Sequence, residues 1–347
     1  MRLASYLHAV AKNQAPANLT IELIATCNLR CGHCYVDHQK PETLSYPVVT
    51  RVIDEFADAG GMFLGFTGGE IGLRDDLFDL IAHARRRHLF VTLLSSGTLW
   101  GLAQWQQIAQ SGIQRVRLSL YAMEPEIHDR VTNSIGSHKK TLATLHGLRS
   151  LGVEVQIACP VLNVNATAVP GVMTYATGLG LAVGIDARIS GSENGCRDTL
   201  SFLADDPSVA DVLVAAEALR RHPRSPRTLK GSDRPCNVGE TMAFVAASGD
   251  VRPCANWPQA AGNLSRSTLL EIFRTSPEFR RARALRRDDA DACKSCAFLA
   301  SCKQCPALAL EENPSTLQPS MRVCRYSRIS AESDLVHERR ANGLGHS

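Results

Sequence analysis

Aromatic residues are scarce, 5% of 347 positions, which removes the stacking platforms that single-stranded nucleic-acid binding relies on. Charge of one sign is lacking too. The 38 Lys+Arg against 34 Asp+Glu leave a net charge of +4, with a local density of arginine only near Arg280–Arg287. A basic footprint over the whole chain is therefore excluded. No apolar run approaches the roughly 20 residues of a membrane span. The apolar stretch Leu3–Ala11 is broken by Ser5 and His8 and is too short for an export signal, although Ala9-Val10-Ala11 imitates a cleavage site. Internal repeats and low-complexity tracts are absent as well. The expectation is a cytoplasmic protein with no nucleic-acid and no membrane partner. What remains, 44% hydrophobic and 21% charged residues, supports a sizeable core and excludes global disorder.

Cysteine is what the chain has in unusual number, twelve in all. In a long chain of cytosolic character, grouped cysteines hold metal or do redox work more often than they form disulfides. Ten of the twelve fall into groups near the two ends: Cys27, Cys31 and Cys34, then Cys236, Cys254, Cys293, Cys296, Cys302, Cys305 and Cys324. Cys159, at the end of an apolar strand, reads as a small core residue. Cys196 lies in the loop Gly191–Arg197.

Between residues 18 and 190 short apolar runs alternate with amphipathic stretches. Strands are predicted at Leu19–Ala25, Met62–Phe66, Phe90–Leu94, Val116–Leu120, Val153–Ala158 and Leu181–Ile185. Helices are predicted at Tyr46–Ala59, Arg74–Arg87, Leu102–Gln110, Lys139–Leu151 and Ala168–Gly178, with Gly112, Gly152 and Gly180 as stops. Six strand–helix units imply an α/β fold with a parallel sheet, an open or partial (β/α)6 barrel with its chemistry at the carboxyl ends of the strands. Residues 1–17 form an N-terminal extension. Residues 191–235 are a bridging segment with a helix near Ser208–Arg221. From Cys236 a small cysteine-rich α+β domain over 236–326 begins with a hairpin, Met242–Ala246 and Val251–Pro253, followed by a helix at Thr268–Arg287. Residues 327–347 read as a polar, frayed tail.

The loop Cys27-Asn-Leu-Arg-Cys31-Gly-His-Cys34 follows the first strand. Three thiolates there suit three irons of a cubane cluster and leave the fourth iron open to a small molecule. A structural zinc site asks for a fourth local ligand. His33 is available, but its adjacency to Cys34 makes joint ligation of one ion awkward. With Phe66-Thr67-Gly68-Gly69-Glu70 at the end of the second strand, this Cys-x3-Cys-x2-Cys loop resembles the radical S-adenosylmethionine (radical SAM) superfamily. The segment from Ser119 to Thr132 resembles it too, and more narrowly the members that carry a SPASM domain. Ile71 departs from the proline that commonly follows the glutamate.

The resemblance implies one radical SAM 4Fe–4S cluster on Cys27, Cys31 and Cys34, which are its catalytic residues. It further implies reductive cleavage of S-adenosylmethionine to a 5′-deoxyadenosyl radical that abstracts hydrogen from a substrate. Thr67, Gly68, Gly69 and Glu70 would contact the cofactor, Gly68 and Gly69 by close backbone approach and Glu70 through its charge on the methionine ammonium. His33 would lie near the adenine, and Ser96 and Ser119 at strand ends near the ligand. Arg130 and Arg188 are within reach of the same ligand, against a default role as solvated arginines.

The C-terminal run, Cys236-x12-Gly249-x4-Cys254, Cys293-x2-Cys296-x5-Cys302-x2-Cys305 and Cys324, resembles the seven-cysteine SPASM pattern, with x2 where x3 is usual. By that resemblance Cys293, Cys296, Cys302 and Cys324 hold one auxiliary 4Fe–4S cluster, and Cys236, Cys254 and Cys305 hold a second. The fourth ligand of the second stays open between Cys196, another residue, a substrate group and none. The paired Cys-x2-Cys units also suit zinc. Relatives with this domain mostly modify ribosomally made peptides by cross-linking, oxidation, epimerisation or decarboxylation. A precursor peptide is thus the expected substrate, with a flavodoxin- or ferredoxin-type reductant. Residues 1–17 are too few for a fused leader-peptide recognition domain, so a separate recognition protein is a possible partner. Ala255 after Cys254 argues against sulfatase maturation, where that place holds an acid. Trp257 nearby reads as a packed tryptophan. The alternatives are a radical SAM enzyme acting on a tetrapyrrole or a sugar, and a non-catalytic iron–sulfur carrier.

Overall fold

The computed structural model describes residues 3–38, 41–219, 229–299, 302–314 and 318–341, with side chains up to residue 333 in the last helix. The part of the bridging segment at 220–228 lies outside the described residues. After helix α1 (Leu3–Lys12) the chain alternates strands and helices: β1 (Asn18–Glu22), α2 (Tyr46–Asp58), β2 (Phe63–Thr67), α3 (Leu77–Arg86), β3 (Phe90–Ser95), α4 (Leu102–Gln110), β4 (Arg115–Ser119), α5 (Pro125–Thr132), α6 (Ser137–Ser150), β5 (Val155–Pro160), α7 (Val169–Gly178) and β6 (Ala182–Asp186). Helix α8 (Asp206–Ala218) leads to β7 (Met242–Val245), β8 (Asp250–Arg252) and β9 (Gly262–Asn263). Five helices follow: α9 (Leu269–Thr275), α10 (Pro277–Ala284), α11 (Asp291–Lys294), α12 (Pro306–Glu312) and α13 (Met321–Ala341).

One sheet runs β6-β5-β4-β3-β2-β1-β7-β8-β9. Its strands are parallel from β6 to β7 and antiparallel from β7 to β9. The six predicted units are present, as in the partial barrel. The C-terminal hairpin does not stand apart from them: Ile21 of β1 is in register with Phe66 on one side and Val245 on the other. The cysteine-rich region thus grows from the free edge of the barrel sheet, which covers an edge that would otherwise invite pairing.

Alternation along each strand decides which side chains meet the helices. Leu19, Ile21, Leu64, Phe66, Val91, Leu93, Val116, Leu118, Val155 and Ile157 are buried in the main core with the apolar faces of α2, α3, α6 and α7. Each such side chain contributes about 1.5–3 kcal/mol. The intervening residues, among them Thr67, Leu94, Arg117, Ser119, Ala158 and Asp186, face the other way and line a cavity.

Two expectations change. The helix predicted over Thr268–Arg287 is two, α9 and α10. Pro277 supplies no backbone N–H and disfavours helical geometry at Ser276, which instead caps α10 by accepting from Phe279 N at 3.2 Å. The residues after Cys324 do not fray up to 341: α13 packs along α8, with Arg325 bonded to Asp206 and Ala204 O. The N-terminal extension is helical, and Tyr6 Oη donates to Gly60 O at 2.7 Å. Among the described residues no helix is long and apolar enough to cross a membrane.

Candidate active site and cysteine centres

The cavity at the carboxyl ends of β1–β6 has a volume of about 370 Å³ and communicates with solvent. Its wall includes Cys27, Cys31, His33, Cys34, Thr67, Gly68, Gly69, Ser96 and Ser119. One site therefore gathers these candidates from four separate stretches of sequence. Glu70 and Arg130 are not in that wall.

Two loops are stitched together to make the cluster side. Gly69 N donates to Ile24 O at 2.7 Å and Glu70 N to Thr26 O at 3.0 Å, so the glycine-rich turn after β2 lies on the segment leading into Cys27. A Cβ on Gly68 would lie 2.5 Å from Ile24 O, and one on Gly69 would collide with Thr26 O and Ala25 O. The glycines are thus required by the neighbouring strand exit, whatever ligand they also face. Glu70, only 1% exposed, accepts from Ser95 Oγ at 2.6 Å, Ser96 N at 2.9 Å, Ser96 Oγ at 2.5 Å and Gly72 N at 3.0 Å. Its carboxylate ties the exit of β2 to that of β3 and faces those donors.

The three thiols of the first loop are crowded. Burial, then the neighbouring Cys34 and Cys27, pushes Cys31 up to about 12, and burial first of all pushes Cys34 up to about 11. Such thiols become thiolates only when a cation compensates them, which is what iron provides. Among the described residues no three His, Cys, Asp or Glu side chains sit close enough to share one metal ion. A cubane asks less of them, since each thiolate meets a different iron. The donor set and its placement beside the cavity fit the cluster better than zinc. His33 is held neutral by burial, down to about 4, and its Nδ1 is buried without a partner at the cavity wall. Tyr121 stands edge-on to His33 with ring centroids 5.2 Å apart, and its hydroxyl bonds with Ser119 and Cys31.

The C-terminal cysteines form two sets. Cys324 is raised to about 11 by burial and then by Cys302, Cys293 and Cys296. Cys254 is raised to about 12 by burial and then by Cys305, with Cys236 contributing. A second, smaller cavity, about 110 Å³, is lined by Cys293, Cys296, Cys302, Cys305 and Cys324. Donors already face these sulfurs: Ser327 Oγ reaches Cys302 Sγ at 3.1 Å and Gln304 Nε2 reaches Cys293 Sγ at 3.4 Å. Arg287, 2% exposed, donates to Cys302 O at 2.8 Å and to Leu299 O, setting a fixed positive charge beside four thiols.

Cys196 is exposed and lines neither of these cavities, while Cys159 is fully buried in the main core. Trp257 is fully buried, with Nε1 donating to Glu278 at 2.7 Å. Arg188 does line the cavity, but Asp186 engages it at 2.8 and 2.7 Å. Asn256 beside Cys254 enters the same wall, so the cysteine-rich region closes the barrel mouth. Sequence reading did not single out Arg117, Tyr121, Asp186 or Asn256. For Arg117 the available signal was its two-residue offset from Ser119, which puts both on one face of β4.

Residues 21–173 match the Radical SAM superfamily, and residues 236–306 match SPASM, an iron-sulfur cluster-binding domain. The chain is 27% identical over 350 residues to a PqqA peptide cyclase of Xanthomonas campestris pv. campestris, covering 94% of this chain and 91% of that protein. It is 25% identical over 320 residues to an AdoMet-dependent heme synthase of Nitratidesulfovibrio vulgaris, covering 83% and 86%. In fold it is similar to Streptococcus suis SuiB bound to S-adenosylmethionine, with a TM-score of 0.72, 16% identity, and coverage of 92% of this chain and 80% of that one. It is also similar to anSMEcpe with bound AdoMet, with a TM-score of 0.71, 19% identity and coverage of 95% and 100%. The chain is a radical SAM enzyme whose carboxyl-terminal portion is a SPASM iron–sulfur domain.

Proposed function

We propose that this enzyme modifies a peptide, using a radical SAM cluster on Cys27, Cys31 and Cys34 and two auxiliary clusters on the C-terminal sets. When bound, the cluster and S-adenosylmethionine supply one-electron cleavage of the sulfonium and a 5′-deoxyadenosyl radical. The chain's own residues do the rest. Gly68 and Gly69 bring the β2 exit against the cysteine loop, Glu70 fixes Ser95 and Ser96, and the neutral His33 offers a flat face beside Tyr121.

The observation that carries the reading is similarity over nearly the whole chain to a peptide cyclase, and SuiB has been solved with its precursor peptide SuiA. The barrel cavity, about 370 Å³, communicates with solvent, so a second reactant can enter it. Arg252 and Glu193, paired at 3.1 Å, join the cysteine-rich region to the loop after β6. A second reading, a tetrapyrrole substrate, is supported by the similarity to the heme synthase.

The test is anaerobic incubation of cluster-loaded enzyme with S-adenosylmethionine, reductant and the peptide encoded by a short reading frame beside the gene. The expected result is a mass change in the peptide with matching 5′-deoxyadenosine. Conversion of an iron tetrapyrrole with the peptide untouched would replace this reading by the second.

A further inference from the structure

Arg117 lies on the inner face of β4, in the wall of the barrel cavity. Its Nε is buried and has no hydrogen-bond partner, and no ion pair to it is found among the described residues. The other charged groups on that side are committed: Asp186 is bonded by Arg188 through backbone N, Nε and Nη2. Arginine cannot shed its charge in a protein, so a half-buried guanidinium at a cavity wall with no carboxylate paired to it is placed to receive an anion.

The backbone makes room for this arrangement. Gly184 on β6 lacks the Cβ that would collide with Arg117 Nη2. Arg117 sits opposite Gln156 of β5 in register, and Ala158 of β5 sits opposite Gly184 of β6. The guanidinium therefore leans across β5 toward β6. The cysteine loop, Gly68-Gly69 and Ser95-Ser96 are at the exits of β1, β2 and β3, in the other direction along the sheet.

We infer that Arg117 is the anchor for a carboxylate of the substrate, held bidentately in the β4–β6 half of the cavity. This rests on the reading above only in that a second reactant enters this cavity. S-adenosylmethionine also carries a carboxylate; the residues that would hold its methionine end, the cysteine loop with Gly68 and Gly69, are at the exits of β1 and β2, so the β4–β6 half would be left to the substrate. The substrate class is thus an acid, either an Asp or Glu side chain or a free C-terminus presented to β4. Arg117 selects and orients this group rather than taking part in radical generation.

The probe is N-acetyl-L-glutamate, with N-acetyl-L-glutamine as its neutral counterpart, each added to oxidised, cluster-loaded enzyme with S-adenosylmethionine and followed by saturation-transfer NMR. The wild type should bind the acid about tenfold more tightly than the amide, and Arg117→Gln should abolish that preference. Arg117→Lys should keep part of it. Gly184→Ala, which displaces the guanidinium without removing its charge, should weaken the acid alone. Equilibrium dialysis should show the affinity of Arg117→Gln for S-adenosylmethionine within about twofold of wild type, below the tenfold that 1.4 kcal/mol represents. Equal binding of acid and amide by the wild type overturns the inference. So does a large loss of S-adenosylmethionine affinity in Arg117→Gln, which would assign the guanidinium to the cofactor. An acid preference without peptide modification would end the peptide reading and leave this one intact.

Discussion

The barrel and the cysteine-rich region hold their sulfurs in opposite ways. In the barrel, Cys27, Cys31 and Cys34 sit on a loop fixed by a sheet whose outer face is buried against helices, and of the three only Cys34 packs against an apolar cluster, the small one of Ala25, Val36 and Ala247. In the C-terminal region the sulfurs are part of the packing itself. Cys254 and Cys305 pack against a small cluster of Val238, Trp257, Ala282, Leu285, Ala307 and Leu310, while Cys302 belongs to another with Leu308 and Val323. Clusters bound there would contribute folding energy, whereas a cluster in the barrel would contribute chemistry.

The largest contrast should come from paired cysteine variants. Cys31→Ala should reduce 5′-deoxyadenosine formation to background while thermal unfolding of the barrel stays within a few degrees of wild type. Cys302→Ala should instead lower stability, since it removes a buried sulfur together with its share of the cluster. Unfolding curves that respond equally to both would erase the distinction between the two regions.

Next in size is Arg287→Met. It removes the buried cation beside the four thiols and leaves the carbonyls of Cys302 and Leu299 without a donor. A loss of about 3 kcal/mol is expected, read by denaturant titration, with iron lost from the C-terminal set before the barrel. Glu70→Gln should cost about 1.5–3 kcal/mol by weakening the charge-assisted bonds from Ser95 and Ser96. It sharpens the comparison because the barrel fold should persist with a weaker grip on S-adenosylmethionine, measured by equilibrium dialysis.

The smallest effect concerns Asp129, on the outside of the barrel. Burial pushes its carboxyl up, but this is outweighed by bonds from His138 N at 2.9 Å, Gly136 N at 2.6 Å and Ser137 Oγ at 2.8 Å, so the net shift is downward. A depressed folded value gives stability that is present above the unfolded value of about 3.9 and lost as pH falls through the folded one. Asp129→Asn should therefore cost less than about 1 kcal/mol near neutrality and nothing once both carboxyls are protonated. A gap between the two proteins that widened on acidification would contradict the assignment.

Legibility in the sequence followed periodicity. The six barrel strands lie within three residues of the apolar runs that announce them, because a parallel strand packed under helices must be apolar on alternate positions. Helix α5 is polar over most of its length and held by Asp129 and its neighbours, so no apolar period marks it. The join of β7 to β1 depends on the free edge of a sheet that exists only after folding. The cysteine groups were legible from spacing, and the structure brings His33, Thr67, Gly68, Gly69, Ser96 and Ser119 to the same cavity. Glu70 was legible as a residue of the site but its partners were not, since Ser95 and Ser96 reach it from the next strand. Arg117 escaped notice because an arginine between valine and leucine reads as a solvent-facing strand residue until the sheet curves around it.

The central claim is that the iron left without a cysteine by Cys27, Cys31 and Cys34 faces the barrel cavity and binds the methionine end of S-adenosylmethionine. Electron–nuclear double resonance on the reduced enzyme, with S-adenosylmethionine carrying 15N in its amino group, tests it directly. A 15N hyperfine coupling to the cluster that vanishes in Cys31→Ala is the predicted result; a reduced cluster spectrum with no 15N coupling in the wild type would contradict the account.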